Sequence, residues 1–134
     1  MGKDTQDVRQ LMSEGKSCSQ VMIQMSMRKL GIEDEHLIRA ARGLSMGMGI
    51  RHACGILTGI ACGMSLADER LGYNIMFPEL FKWFYETYGD DHGGVLCAEL
   101  MDGDDGNRRL RCPEMIDKTW EKACEILEDN GFGG

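Results

Sequence analysis

Apolar residues in this 134-residue chain recur three and four positions apart in almost every segment, and no run alternates convincingly. A period near 3.6 gathers apolar side chains on one stripe of a helix, whereas a half-buried strand needs a period of two. That pattern predicts an all-α fold. Glycines and polar caps then divide the chain. A first helix is predicted over about residues 5–14, stopping at Gly15. Ser17 is a good N-cap for a second, which carries Val21, Met22, Met25 and Leu30 and is stopped by Gly31. A third spans 33–42 and ends in a glycine-rich stretch over 43–49. A fourth covers about 52–66, and a fifth, rich in aromatics, about 78–88. Gly89, Gly93 and Gly94 bracket a loop leading to a short helix near 97–101. Pro113 suits the first turn of a final helix running to about 129, with Cys112 beside its N-terminus. There is no repeat and no linker of domain-separating length. The expectation is one all-α domain over 1–134, a bundle of six to seven helices.

Charge and composition exclude several function classes. The formal net charge is -7, whereas binding nucleic acid requires clustered Lys and Arg. The one basic cluster, Arg108-Arg109-Leu110-Arg111, follows the acids Asp102, Asp104 and Asp105 and reads as a solvated loop. No stretch approaches the roughly 20 apolar residues of a membrane span. Residues 1–7 are polar and no apolar run of signal-peptide length follows, so the reading is cytoplasmic.

Six cysteines in such a chain therefore call for an explanation other than disulfide staples. At this length an ordinary apolar core suffices for folding, and intracellular cysteine used this heavily points to metal, cluster or redox chemistry. Helix geometry divides the six. Cys54 and Cys62 are eight residues apart, roughly 12 Å along one helix, and Cys112 and Cys124 roughly 18 Å. A disulfide needs Cα atoms within about 7 Å, so neither pair shares one compact site. Cys18, Cys54, Cys97 and Cys112 each fall near a predicted helix start or a glycine-rich turn. Unpaired amides and the positive end of the dipole are expected to lower a thiol pKa there. Cys62 and Cys124 lie mid-helix and read as small core hydrophobes.

The same four residues carry a family resemblance. The segments are Gly15-Lys16-Ser17-Cys18-Ser19-Gln20, then Gly47 through Cys54-Gly55-Ile56-Leu57-Thr58-Gly59, then Cys97-Ala98-Glu99-Leu100-Met101-Asp102-Gly103, Cys112-Pro113 and Ala123-Cys124-Glu125-Ile126-Leu127. Over about residues 8–128 the chain resembles the redox-active proteins named for their C…GCAxxG…C…C pattern. Ala53 replaces the glycine before the second cysteine, and Gly55-Ile56 stands where alanine is common. Similar domains occur in split-Soret cytochromes, where an iron–sulfur centre is associated with the cysteine-bearing part. The absence of Cys-x-x-Cys-His excludes covalent c-type haem here.

Four thiolate-capable cysteines and this resemblance together point to an electron-transfer protein. Its Cys18, Cys54, Cys97 and Cys112 are expected to hold an iron–sulfur cluster, of the two-iron kind first, and to pass electrons to a redox protein partner. One alternative is thiol–disulfide exchange, for which Cys97 and Cys112 are the chosen pair. Another is a structural zinc scaffold, although spacers of 35, 42 and 14 residues are unlike the short ligand spacings of common zinc sites.

Other constellations read more plainly. His52, two residues before Cys54, is a candidate fifth ligand or proton donor, yet a helix-start histidine more often faces solvent. His92 precedes Cys97 in a loop. The 11 methionines include Met22, Met25 and Met27, and Met46 and Met48, spacings that suit Cu(I), though methionine more often fills cores. Phe81, Trp83, Phe84 and Tyr85 cannot all face one helix stripe, so part of the run is expected at a homodimer contact.

Overall fold

The computed structural model describes residues 5–104 and 106–133; residues 1–4, Asp105 and Gly134 lie outside them, as does the side chain of Arg109. The described residues form seven helices and no strand, so the all-α expectation holds. They are α1 (Thr5–Ser13), α2 (Cys18–Leu30), α3 (Glu35–Ala41), α4 (Gly55–Ala67), α5 (69–92), α6 (Cys97–Leu100) and α7 (Asn107–Asp129). No helix among them is long and apolar enough to cross a membrane.

Local chemistry explains the best-defined ends. Ser17 caps α2 through a reciprocal box: its hydroxyl accepts from the Gln20 amide while the Gln20 side chain accepts from the Ser17 amide. Gly31 closes the same helix at φ 72, in the left-handed region glycine tolerates. Asp34 caps α3 and Asp68 caps the start of α5 through their carboxylates.

Two boundaries differ from expectation. Helix α4 begins at Gly55, not near His52, because residues 46–51 turn left-handed, with positive φ at Met46, Gly47, Met48, Gly49 and Arg51. Helix α7 begins at Asn107, so Pro113 and Cys112 lie inside it and not at its start. Proline removes its own donor and crowds the carbonyl four residues before it, but the turns before it are anchored elsewhere. Arg111 Nη1 donates to the Leu100 carbonyl at 2.6 Å and to Asp102 at 2.9 Å. Asn107 Nδ2 donates to the Met101 carbonyl at 2.8 Å. These tertiary contacts hold turns that proline alone discourages.

The fifth helix is also longer than expected. It runs from 69 to 92 with wide turns at Gly72–Met76 and Tyr85–Gly89, the first ending just before Pro78. Wider hydrogen bonding there accommodates the missing proline donor. Its aromatic run divides as helix phase requires: Leu80 and Phe84 are fully buried, whereas Phe81 and Tyr85 are exposed.

The core closes around Val21, Met22 and Met25 of α2, Ile56, Ile60 and Met64 of α4, Leu80 and Phe84 of α5, and Ile116, Trp120 and Ile126 of α7. Each such side chain contributes about 1.5–3 kcal/mol on burial. Met22, Met25 and Met27 are thus core residues, as the bland reading of the methionine pattern had it.

Candidate functional site

The site is set by how closely α2 and α4 approach. Gly55, Gly59 and Gly63 form one stripe of α4, four residues apart. A Cβ on Gly59 would lie 2.8 Å from the Ser19 carbonyl oxygen and 2.9 Å from Ser19 Cα. One on Gly55 would lie 2.5 Å from Cys18 Sγ, and one on Gly63 would meet Ser26. Contacts in the order 18, 19 and 26 against 55, 59 and 63 mean that the helices run parallel. Their N-termini therefore come side by side, with Cys18 as the first residue of α2 and Cys54 as the N-cap of α4. Small-residue stripes permit this kind of close backbone approach.

Cys97 joins from the other side. The left-handed turn at 46–51 delivers an extended segment, in which Ala53 makes an isolated antiparallel bridge to Leu96. The Cys97 amide donates to the His52 carbonyl at 2.6 Å. Cys54 and Cys97 each follow a bridged residue and begin, or cap, a helix. Cys112 reaches the same region from the second turn of α7.

Electrostatics couples these thiols to one another pairwise. The thiol of Cys54 is pushed far up, first by burial and then by Cys18, with a further contribution from Cys112. Burial pushes Cys18 up as well, and Cys97 adds to it. Cys112 is raised to about 11 by burial, Cys18 and Cys97. Cys62, by contrast, is raised by burial alone, with no cysteine neighbour. None of the six forms a disulfide.

These upward shifts correct the expectation that helix starts lower the thiol pKa. The amides act as anticipated: those of Met46 and Ser19 stabilise the Cys18 thiolate, and those of Ile56 and Leu57 that of Cys54. Desolvation and mutual repulsion outweigh them. Amide donors face sulfurs that need external positive charge to ionise.

One contributor escaped the sequence reading. Arg108, assigned to a solvated loop, lies one helical turn before Cys112 and hydrogen-bonds its sulfur. Its charge also stabilises the Cys18 thiolate. The signal was available as the i, i+4 spacing of Arg108 and Cys112, but only once α7 is known to begin at Asn107. Cys18, Cys112, Arg108 and Lys16 line an open cleft of about 320 Å³, walled by Met12, Pro113 and Ile116. Cys54 and Cys97 lie beneath, each under a tenth exposed.

The histidines stand apart. The His52 side chain is exposed, and only its backbone braces the site. His92 Nδ1 lies 3.3 Å from Asp102, which also holds Arg111. Cys62 departs from expectation in being exposed, because Ile56, Ile60 and Met64 fill the core-facing stripe of α4. Cys124 is half-buried against the core. Among the described residues, no three His, Cys, Asp or Glu side chains are gathered closely enough to hold a single metal ion.

A family model described as "Putative redox-active protein (C_GCAxxG_C_C)" matches residues 16–126, most of the chain and every cysteine. The chain belongs to this family. No curated protein and no solved structure matches it. The matched span takes in the α2–α4 contact together with Cys97 and Cys112. This C_GCAxxG_C_C member is thus a cysteine-rich, all-α, redox-active protein.

Proposed function

We propose that Cys18, Cys54, Cys97 and Cys112 hold an iron–sulfur cluster and that the protein transfers electrons. The observation that carries this reading is the mutual coupling of four largely desolvated thiols, from four separate elements, with backbone amides turned toward two of them. Four soft sulfur donors suit iron–sulfur ligation, and the hydrogen of Gly55 leaves room beside Cys18 Sγ that a Cβ would fill. When bound, such a cluster supplies one-electron chemistry.

The chain's own residues account for the rest. Burial of Cys54 and Cys97 keeps water from the inner sulfurs. The amides of Ser19, Met46, Ile56 and Leu57 stabilise negative sulfur, and Arg108 offsets charge at the outer pair. A two-iron cluster asks for two thiolates at each iron, and the four cysteines come from four separate elements. Structural zinc asks for all four on one ion. Thiol–disulfide exchange asks for a low-pKa attacking thiol, whereas Cys18, Cys54 and Cys112 are all raised.

The test is anaerobic purification, reconstitution with iron and sulfide, and metal analysis alongside the visible spectrum. About two irons per chain, with charge-transfer bands that bleach on reduction, is the expected result. Fewer than about one iron per chain, or a stoichiometric defined disulfide instead, rejects the cluster.

A further inference from the structure

The outer sulfurs open onto a surface whose charge is opposite to that of the chain. Lys16 lines the cleft that exposes Cys18 and Cys112, and also a second, adjoining cavity of about 490 Å³ shared with Arg39. Lys16, Arg39 and Arg108 are the cations lining the two, and Glu35 is the only acid among the described lining residues. The trough is therefore cationic by two charges in a chain of net charge -7. Arg42 adds a fourth positive side chain nearby, donating to the Gly15 carbonyl at 3.3 Å.

Lys16 and Arg39 are kept available. Arg9, Lys29, Arg111, Lys118 and Lys122 each pair with a carboxylate. Among the described residues, neither Lys16 nor Arg39 takes part in an ion pair. An acidic protein that leaves cations unneutralised beside its reactive sulfurs has the charge arrangement that steers a negative partner to that spot.

Shape favours a macromolecule over a small anion. Small-molecule sites enclose most of their ligand, whereas these two cavities are open and run together along the surface. Cys18 and Cys112 are also the half-exposed members of the four, so an electron or a reactive group reaches the surface here first.

We propose that this cationic trough is the docking surface for an acidic redox partner protein, an inference that rests on the four cysteines being the redox site. The partner presents a cluster of surface carboxylates to Lys16, Arg39 and Arg108, over the sulfurs of Cys18 and Cys112.

The test is binding, which does not depend on the identity of the group the cysteines hold. The purified protein is titrated with a carboxylate-rich flavodoxin and, separately, with a basic cytochrome c, at low and high salt. The flavodoxin is expected to bind at low ionic strength and to be released as salt screens the contact. Lys16→Glu and Arg39→Glu are each expected to weaken it by about tenfold while leaving bound iron unchanged. Both residues lie at the surface, so circular dichroism and thermal melting of the variants show whether folding is intact. Equal flavodoxin binding by folded charge-reversal variants overturns the proposal, as does tighter binding of the basic protein. Binding of inorganic phosphate that is lost in Lys16→Glu, with no flavodoxin binding, overturns it in favour of a small-anion site. A protein that binds flavodoxin yet loads no iron leaves the trough standing and rejects only the cluster.

Discussion

Gly55 and Gly59 face the same helix but meet different atoms, and that difference separates folding from function. A Cβ at Gly59 meets the Ser19 backbone at 2.8 and 2.9 Å, which can move only if α2 and α4 part. Gly59→Ala is therefore expected to cost about 1–3 kcal/mol in urea unfolding and to impair the site as well. A Cβ at Gly55 meets a side-chain sulfur, Cys18 Sγ, at 2.5 Å. Gly55→Ala is expected to spare most of the stability yet lower iron loading; the reverse pattern would show that the stripe does not set the sulfur positions. Cysteine substitutions divide similarly. Cys62 is exposed, so Cys62→Ala should change stability by no more than about 0.5 kcal/mol and leave iron content intact. Alanine at Cys18, Cys54, Cys97 or Cys112 should abolish loading, with non-additive double mutants, because losing one ligand disables the unit. Arg108 acts on charge alone: Arg108→Gln removes a cation bonded to the Cys112 sulfur and should make the reduction potential more negative. An unchanged or more positive potential by redox titration sinks that role.

At the scale of elements, the segment 46–51 is costly and well placed. Met46, Met48 and Arg51 hold φ of 53, 61 and 57, a region that costs a non-glycine residue roughly 1–2 kcal/mol. The turn is held by its consequences: the Met46 amide at Cys18, the Gly47 carbonyl accepting from His52, and the Ala53–Leu96 bridge. Met48 is half exposed, so Met48→Gly loses little packing and should raise stability by up to about 1 kcal/mol, once glycine's greater unfolded freedom is set against the relieved strain. A lower thermal midpoint in that variant would mean that the Met48 side chain contributes more than its exposure suggests. The same contrast explains what the sequence disclosed. Helix α2 was legible to the residue because Ser17, Gln20 and Gly31 act on their immediate neighbours. So was the separation of Cys54 from Cys62 and of Cys112 from Cys124, since it follows from helical rise. The start of α7 was not, because Arg111 and Asn107 are anchored to carbonyls of another element. Arg108 went unread for the same reason. The direction of the thiol shifts was missed because local sequence reveals the amides at a helix start, whereas burial and the other three sulfurs belong to the assembled fold.

Taken as a whole molecule, the chain buries thiols whose thiolates would repel one another between α2, α4, α6 and α7, and this ties stability to pH in a definite direction. A thiol whose folded pKa lies above its unfolded value stabilises the fold while both states are protonated. The ordinary value is 9.0, and Cys112 is raised to about 11, with Cys18 and Cys54 also raised. In the metal-free protein the unfolded chain releases these protons first as pH climbs past about 9, so stability should fall between about pH 9 and 11. Loading with the proposed cluster would invert the dependence, because ligation requires thiolates and releases their protons. The loaded protein should melt higher than the metal-free form at neutral pH, since a group bound only by the folded chain adds to its stability. Its midpoint should hold through the alkaline window and drop in acid, where protons compete for sulfur. Thermal melts from pH 5 to pH 11, with and without a strong iron chelator, read both curves on the same protein. Cys54→Ala should lose the acid-sensitive gain and flatten the alkaline fall. If metal-free wild type and Cys54→Ala fall in parallel above pH 9, the alkaline transition belongs to other groups.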